Sequence, residues 1–183
     1  MKAPRAVVSG VVLFFACQPI TAQTPQHAVA WRVFSNRAGW SISHPRNWHI
    51  SSCEACTDPR DADVFAEFDS PRSEDSSRGS VSVSPLVNKP LNLSLDKWFS
   101  KVEGDGSPSP NSLVREKRST LNGMPTLNIL YRDPDGMEIE ETYIVSRPDA
   151  FKISFFCNRP GAIEECPTYP AYLRMLSSFE TKK

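Results

Sequence analysis

The sequence predicts one α+β domain in which an antiparallel sheet packs against two amphipathic helices. Two observations lead to this class. Apolar and polar side chains alternate with a period of two in short segments that end at turns containing proline, glycine or asparagine. Two other segments space their apolar side chains three and four residues apart, as one face of a helix requires. The length of 183 residues suits a single domain, which we place at residues 31–180.

Short strands joined by tight turns are predicted in the first half of the chain. A polar, serine-rich stretch, Asp69 to Ser80, interrupts them and is predicted to be a loop. The residues that alternate with polar neighbours are Trp31 and Val33; Trp40, Ile42 and His44; Trp48 and Ile50; Val64, Ala66 and Phe68; and Val81 and Val83.

Four successive antiparallel strands are predicted in the second half. The first runs from Val114 to Leu121 and leads into Asn122-Gly123, the strongest short hairpin signal. Its partner strand runs from Pro125 to Tyr131. The turn Asp133-Pro134-Asp135-Gly136 then leads into a third strand, which ends at Val145. The fourth strand is carried by Phe151, Ile153 and Phe155. Together they form a meander with one apolar face.

Two helices complete the predicted domain. The first has Ser94 as its N-cap and places four apolar residues at i, i+3, i+4 and i+7. The second is expected near the C-terminus, with Pro167 and Pro170 tolerated near its first turn. The apolar stripes are Leu95, Trp98, Phe99 and Val102 for the first helix, and Tyr169, Tyr172, Leu173, Leu176 and Phe179 for the second.

The N-terminus resembles an export signal. Lys2 and Arg5 precede an apolar run from Ala6 to Ala16, which is about half the length needed to span a bilayer. We therefore expect a signal peptide over residues 1–22, cleaved after Ala22, and a flexible tether over residues 23–30. In the alternative, Cys17 is the lipidated first residue of a bacterial lipoprotein, and the protein has a lipid anchor.

Four further cysteines belong to the expected domain, and an even number in an exported chain indicates disulfide bonds. Cys157 and Cys166 flank a turn, so proximity favours a bond between them, which leaves Cys53 to pair with Cys56. Cross-pairing between the two sets remains the alternative.

The sequence Cys53-Glu54-Ala55-Cys56 also permits a thiol-redox pair or a metal site. A thioredoxin-like pair lies at the start of a helix, but the residues after Cys56 show no helical apolar stripe. A structural zinc site needs a second closely spaced pair, and Cys157 and Cys166 are too far apart in sequence for that role. A disulfide is therefore the favoured interpretation.

No cofactor or catalytic motif is found. The chain lacks a nucleophile elbow, a phosphate-binding glycine loop, a dinucleotide fingerprint and a zincin helix. Its 21 basic and 21 acidic side chains balance, so it has no basic surplus for binding nucleic acid. His44 is predicted to be a hydrogen-bonded core residue. Glu138 and Glu140 are expected to form a solvated ion ladder with Arg115 and Lys117.

The order of turns and aromatic residues resembles the PsbP-like domain family over about Trp31 to Phe179. None of the matching motifs is catalytic. They are Phe34, Gly39-Trp40-Ser41-Ile42-Ser43-His44-Pro45, Asn47-Trp48, Leu95-Asp96-Lys97-Trp98, Asn122-Gly123-Met124-Pro125-Thr126-Leu127, Tyr143-Ile144-Val145 and Met175-Leu176-Ser177-Ser178-Phe179.

This resemblance implies an α/β/α sandwich and, where roles in the family are known, binding or assembly rather than catalysis. We therefore predict an exported, periplasmic or secreted, non-catalytic module that binds an unidentified protein or small molecule. The alternative is an exported thiol-redox or metal-handling protein that uses Cys53 and Cys56.

Overall fold

The computed structural model describes residues 29–51, 65–73, 77–86, 97, 100 and 112–182. They form ten strands, a short 3-10 helix (Ile163–Glu165) and one α-helix with defined ends, α1 (Tyr169–Ser177). The strands are β1 (Trp31–Ser35), β2 (Trp40–Pro45), β3 (His49–Ser51), β4 (Ala66–Asp69), β5 (Gly79–Pro85), β6 (Leu113–Leu121), β7 (Met124–Arg132), β8 (Glu138–Ser146), β9 (Asp149–Cys157) and β10 (Glu180–Thr181).

The strands divide into two antiparallel sheets. The larger sheet has seven strands in the order β3-β4-β5-β9-β8-β7-β6, so the predicted meander forms its β6 end. The smaller sheet has three strands in the order β1-β2-β10. Strand β10 follows α1 and pairs with β2, which brings the C-terminal segment back to the start of the domain.

The prediction of an α/β/α sandwich with two main helices is wrong. The described chain is mostly strand, with two antiparallel sheets and one bounded α-helix. Strand residues outnumber helix residues because four strands of the meander are nine residues long each, whereas the one bounded α-helix is also only nine residues long. The predicted helix over 95–102 lies outside the described residues, except for Lys97 and Ser100, which are helical.

Two turns define the meander as their sequences predicted. Asn122 and Gly123 both have positive φ, of 50° and 79°, as a two-residue hairpin loop between β6 and β7 requires. In the next turn, the Asp133 carboxylate accepts the backbone N–H groups of Asp135, at 3.0 Å, and Met137, at 2.8 Å. The turn chemistry therefore sets the strand register locally.

Helix α1 packs on the larger sheet through its tyrosines. Tyr172 stacks on Phe155 of β9, with ring centroids 4.8 Å apart, and Met175 is fully buried on the same face. The prediction that Leu173 lies on the buried stripe is wrong, because its side chain is 45% exposed. At about 100° per residue, Leu173 lies roughly 100° from Tyr172, which occupies the centre of the buried face.

One glycine allows the start of α1 to approach the sheet. Gly79 is the buried first residue of β5, and a Cβ built on it overlaps the Thr168 side-chain oxygen. That Cβ also lies 3.0 Å from the Phe155 ring. A residue without a side chain at position 79 is therefore what lets Thr168, the N-cap of α1, lie against β5.

Several predictions for the N-terminal half fall outside the described residues. These are the signal peptide and its cleavage after Ala22, lipidation of Cys17, most of the tether, and the pairing of Cys53 with Cys56. They stay predictions. Among the described helices, none has the length and apolar character of a membrane span.

Candidate functional site

The carboxylates of Glu138 and Glu140 are buried, so the prediction of a solvated ion ladder is wrong, although the expected pair between Arg115 and Glu140 is present. Glu138 is 4% exposed and Glu140 is 3% exposed. The alternation of polar and apolar residues in β8 predicted a solvent-exposed polar face, but this face lies under α1 and the 3-10 helix. The tyrosine hydroxyls of α1 point at this face and supply hydrogen bonds that water supplies elsewhere.

Glu140 is the centre of a hydrogen-bond network between the sheet and α1. One carboxylate oxygen accepts from Asn128 Nδ2 at 2.8 Å and from the Tyr172 hydroxyl at 3.4 Å. The other accepts from the Tyr169 hydroxyl at 2.8 Å and from Arg115 at 3.3 Å. Both oxygens are therefore occupied by protein donors, which offsets the cost of burying the charge.

Glu138 and Glu141 are bonded in the same way. Glu138 accepts from Arg132 at 2.6 Å and from the backbone N–H of Ile163, the first residue of the 3-10 helix, at 2.9 Å. Glu141, on the opposite face of β8, accepts from Lys152 at 3.0 Å and from the Tyr143 hydroxyl at 2.6 Å. These three carboxylates thus hold the fold together and offer no free oxygen pair for a cation. The described residues contain no group of three His, Cys, Asp or Glu arranged to hold a metal ion.

The tyrosines near these carboxylates resist ionisation. Burial, reinforced by the Glu140 charge, raises the pKa of both Tyr169 and Tyr172 well above the ordinary 10.0. Burial and the charges of Glu141 and Asp133 raise the pKa of Tyr131 to about 12. Each phenolate would be formed in a poorly hydrated place beside an existing negative charge.

These shifts predict a loss of stability in alkali. Below about pH 10 the folded and unfolded chains both keep the phenolic protons, so stability does not change with pH on their account. Above it the unfolded chain loses them first, and stability falls as the pH rises towards the folded pKa values. In Tyr172→Phe we expect a shallower fall above about pH 10, measured by urea unfolding at each pH. An unchanged slope in Tyr172→Phe would contradict the assignment.

A disulfide bond joins β9 to the segment before α1. Cys157 is the last residue of β9 and Cys166 lies just after the 3-10 helix, with both side chains buried. This is the pairing that proximity in the sequence favoured. Cys166 Sγ lies 3.3 Å from Thr168 Oγ1, so the bond is packed against the start of the helix. It is an internal cross-link and exposes no thiol.

The histidines of β2 and β3 differ in their exposure to solvent. His44 is buried, and its Nδ1 donates to the Pro45 carbonyl oxygen at 2.9 Å. Burial lowers its pKa from the ordinary 6.5, which keeps the imidazole neutral. His49 is exposed. His44 is therefore a hydrogen-bonded core residue, as its alternation with Trp40 and Ile42 predicted.

An open cleft of about 570 Å³ lies at the end of the two sheets. Its volume falls within the usual range for small-molecule sites. The β6–β7 loop forms one wall, the β8–β9 turn forms another, and the C-terminal segment forms the third. The lining residues are Gly123, Met124, Pro125, Val145, Ser146, Arg147, Pro148, Asp149 and Lys182.

Hydrogen bonds fix the three walls of this cleft relative to one another. Asn122 Nδ2 donates to the Phe179 carbonyl oxygen at 2.9 Å, which ties the β6–β7 loop to the segment after α1. Ser146 Oγ and Thr181 Oγ1 are 2.7 Å apart, which ties β8 to β10. The backbone N–H of Lys182 donates to the Gly39 carbonyl oxygen at 2.6 Å. These hydrogen bonds connect the segments that form the walls of the cleft.

The cleft combines apolar walls with an excess of positive charge. Met124, Pro125 and Val145 supply apolar surface, while Arg147 and Lys182 carry the positive charges and Asp149 carries a negative one. The sequence does not reveal this site, because its residues lie in three separate parts of the chain. The available signal was the turn Ser146-Arg147-Pro148-Asp149, which places charges at a hairpin end.

Comparisons with known proteins identify the fold. No protein-family model matches the chain, and no curated protein matches its sequence. Over 84% of this chain and 96% of the other, the Saccharomyces cerevisiae Ran-binding protein Mog1p has a TM-score of 0.49 and 14% identity, below the similarity that indicates a common fold. The solution structure of cyanobacterial PsbP (CyanoP) from Synechocystis sp. PCC 6803 matches 90% of this chain and 99% of that chain, with a TM-score of 0.53 and 14% identity. The chain therefore has a PsbP-like fold.

Proposed function

We propose that this protein is an exported, non-catalytic binding or assembly module, and that its cleft takes an apolar ligand group that carries a negative charge. The observation that carries this proposal is the cleft itself, in which apolar walls lie beside Arg147 and Lys182. The buried glutamates Glu138 and Glu140 are absent from its lining and are bonded to internal donors.

Charge and shape together select the ligand class. A hydrophobic group that enters the cleft leaves water for the surfaces of Met124, Pro125 and Val145, which is favourable in proportion to the area covered. An anionic group on the same ligand meets two cations and one anion at the rim. The disulfide between Cys157 and Cys166 supports export, because such bonds persist in oxidising compartments.

A titration with a simple probe tests the cleft. We expect 4-phenylbutyrate to shift the NMR resonances of Met124, Val145 and Ser146, and 4-phenylbutylamine to shift them several-fold less at equal concentration, because only the first probe complements the rim charge. Lys182→Glu should weaken the butyrate response by about threefold to tenfold at low salt.

The matched control is Arg46→Glu, a charge reversal of another exposed basic residue, in the turn between β2 and β3 and outside the cleft lining. It should leave the response unchanged. Equal responses to the two probes, or equal losses in Lys182→Glu and Arg46→Glu, would show that the cleft does not select an anionic ligand.

A further inference from the structure

Within the part of the chain that the structure describes, strand β6 is an edge strand of the larger sheet. It lies last in the strand order and, among the described residues, pairs only with β7. Every residue from Leu113 to Thr120 is exposed. Most sheet edges in proteins are short or covered, because an open edge is a template for another strand.

The register of the hairpin shows which backbone groups of β6 face outwards. Because the loop Asn122-Gly123 has two residues, Leu121 and Met124 form the hydrogen-bonded pair that closes it. Bonded and non-bonded positions alternate along an antiparallel strand, so Ser119 and Lys117 also direct their backbone groups to β7. The residues between them direct N–H and C=O groups away from the sheet. These outward-facing residues are Glu116, Arg118 and Thr120.

The side chains of β6 carry more positive than negative charge. Three basic residues and one acidic residue stand in sequence as Arg115-Glu116-Lys117-Arg118, a net charge of +2. Arg115 is bonded to Glu140 at 3.3 Å, and Arg118 lies 3.9 Å from Glu116. Lys117 has no ion-pair partner among the described residues. An acidic side chain on an added strand would pair with it across the new ladder.

The same sequence disfavours a second copy of β6 in most registers. The outward-facing residues of β6 are every second residue of the strand. When two antiparallel copies pair about a two-fold axis, the axis must therefore pass beside one residue, which then lies opposite the same residue of the other copy. For axes at Glu116, Lys117 or Arg118 this is a like-charge pair. Only the axis at Lys117 compensates for this repulsion, because it places Glu116 of each copy opposite Arg118 of the other copy. An acidic strand meets more attraction than repulsion.

We propose that β6 binds an extended acidic segment of a partner protein, which adds to the sheet as an extra antiparallel strand. The outward backbone groups of Glu116, Arg118 and Thr120 supply the hydrogen bonds, and Lys117 selects negative charge. Addition of a strand at an open edge is a general mode of peptide recognition. This surface is separate from the cleft lining, so it is a second interaction site that does not depend on the function proposed for the cleft.

The test uses a capped ten-residue peptide of alternating glutamate and threonine, added to the full-length protein. Hydrogen exchange followed by NMR should show new protection of the backbone amides of Glu116, Arg118 and Thr120. A peptide with lysine in place of glutamate should bind about tenfold more weakly at low salt. Lys117→Glu should reduce the affinity for the glutamate peptide, whereas Arg46→Glu should not.

A matched pair of proline variants separates strand addition from simple charge attraction. Thr120→Pro removes an outward N–H and should keep the fold, because proline is tolerated on edge strands where the N–H faces solvent. It should weaken peptide binding by about tenfold or more. Ser119→Pro removes an N–H that bonds to β7 and should lower the melting temperature instead.

Three results would overturn the proposal. They are an absence of protection on β6, equal affinity for the two peptides, and undiminished binding by a folded Thr120→Pro variant. Protection of β6 that depends on protein concentration without peptide would assign the edge to a second copy of this chain. Resonance shifts confined to Met124, Val145 and Ser146 would assign the peptide to the cleft. Either result would also exclude the proposed partner.

Discussion

Replacement of Glu140 by alanine is expected to lower the free energy of unfolding by about 2 to 4 kcal/mol, the largest single-residue effect that we expect at the buried network. The change removes the carboxylate that accepts from the Tyr169 hydroxyl, and it leaves a void between β8 and α1. The Tyr172 hydroxyl and the Asn128 amide lose the same acceptor and, among the described residues, keep only Thr142 Oγ1, at 3.3 Å and 3.0 Å. Buried donors without acceptors cost more than the hydrogen bonds contribute when formed. Urea unfolding followed by circular dichroism measures the difference.

The matched control is Glu164→Ala. Glu164 shares the Arg115 partner with Glu140, at 3.1 Å, but its side chain is 47% exposed. Because exposed ion pairs contribute little, we expect a change of less than about 1 kcal/mol. Similar losses in the two variants would show that the ion pairs of Arg115, and not the tyrosine and amide hydrogen bonds, account for the stability.

Loss of the disulfide is expected to have an effect of similar size. The bond between Cys157 and Cys166 spans a sequence separation of 9 residues, and the chain-entropy relation gives about 2.5 to 3 kcal/mol for a loop of that size. Cys157→Ser/Cys166→Ser should therefore unfold at lower urea concentration. Hydrogen exchange in α1 should accelerate first, because the short helix begins three residues after Cys166 and depends on tertiary contacts.

The alanine pair, Cys157→Ala/Cys166→Ala, separates two causes of this loss. Both cysteine side chains are buried, so serine adds the cost of a buried hydroxyl to the loss of the cross-link. Alanine removes the cross-link without that cost and should be the less destabilised of the two. If the amides from Tyr172 to Ser178 are as protected in both variants as in the parent, the disulfide does not anchor α1.

The buried network also leaves Glu138 and Glu140 without a free oxygen for acid or base chemistry. A carboxylate that acts as an acid or base must reach its substrate within hydrogen-bonding distance. In Glu138 and Glu140, both carboxylate oxygens instead accept hydrogen bonds from internal donors beneath α1 and the 3-10 helix. Their charges therefore stabilise the junction between sheet and helix.

The sequence alone was enough to determine the local structure of the meander. Asn122-Gly123 requires positive φ at both positions, and the Asp133 carboxylate caps its own turn, so these hairpins depend on residues within a few positions of each other. The pairing of Cys157 with Cys166 is local in the same sense. Short-range steric and hydrogen-bonding preferences act whatever surrounds the segment, which is why the sequence predicts them correctly.

Tertiary structure alone decided the number of sheets, the burial of Glu140 and the position of the cleft. The smaller sheet gains its third strand because β10 returns to β2, and Ser178 Oγ accepts the Ser43 backbone N–H across a separation of 135 residues. The alternation of β8 is the same whether its polar face meets water or a helix that carries tyrosine hydroxyls. Which of these neighbours a strand acquires depends on contacts between distant segments, and the period of the sequence pattern does not encode them.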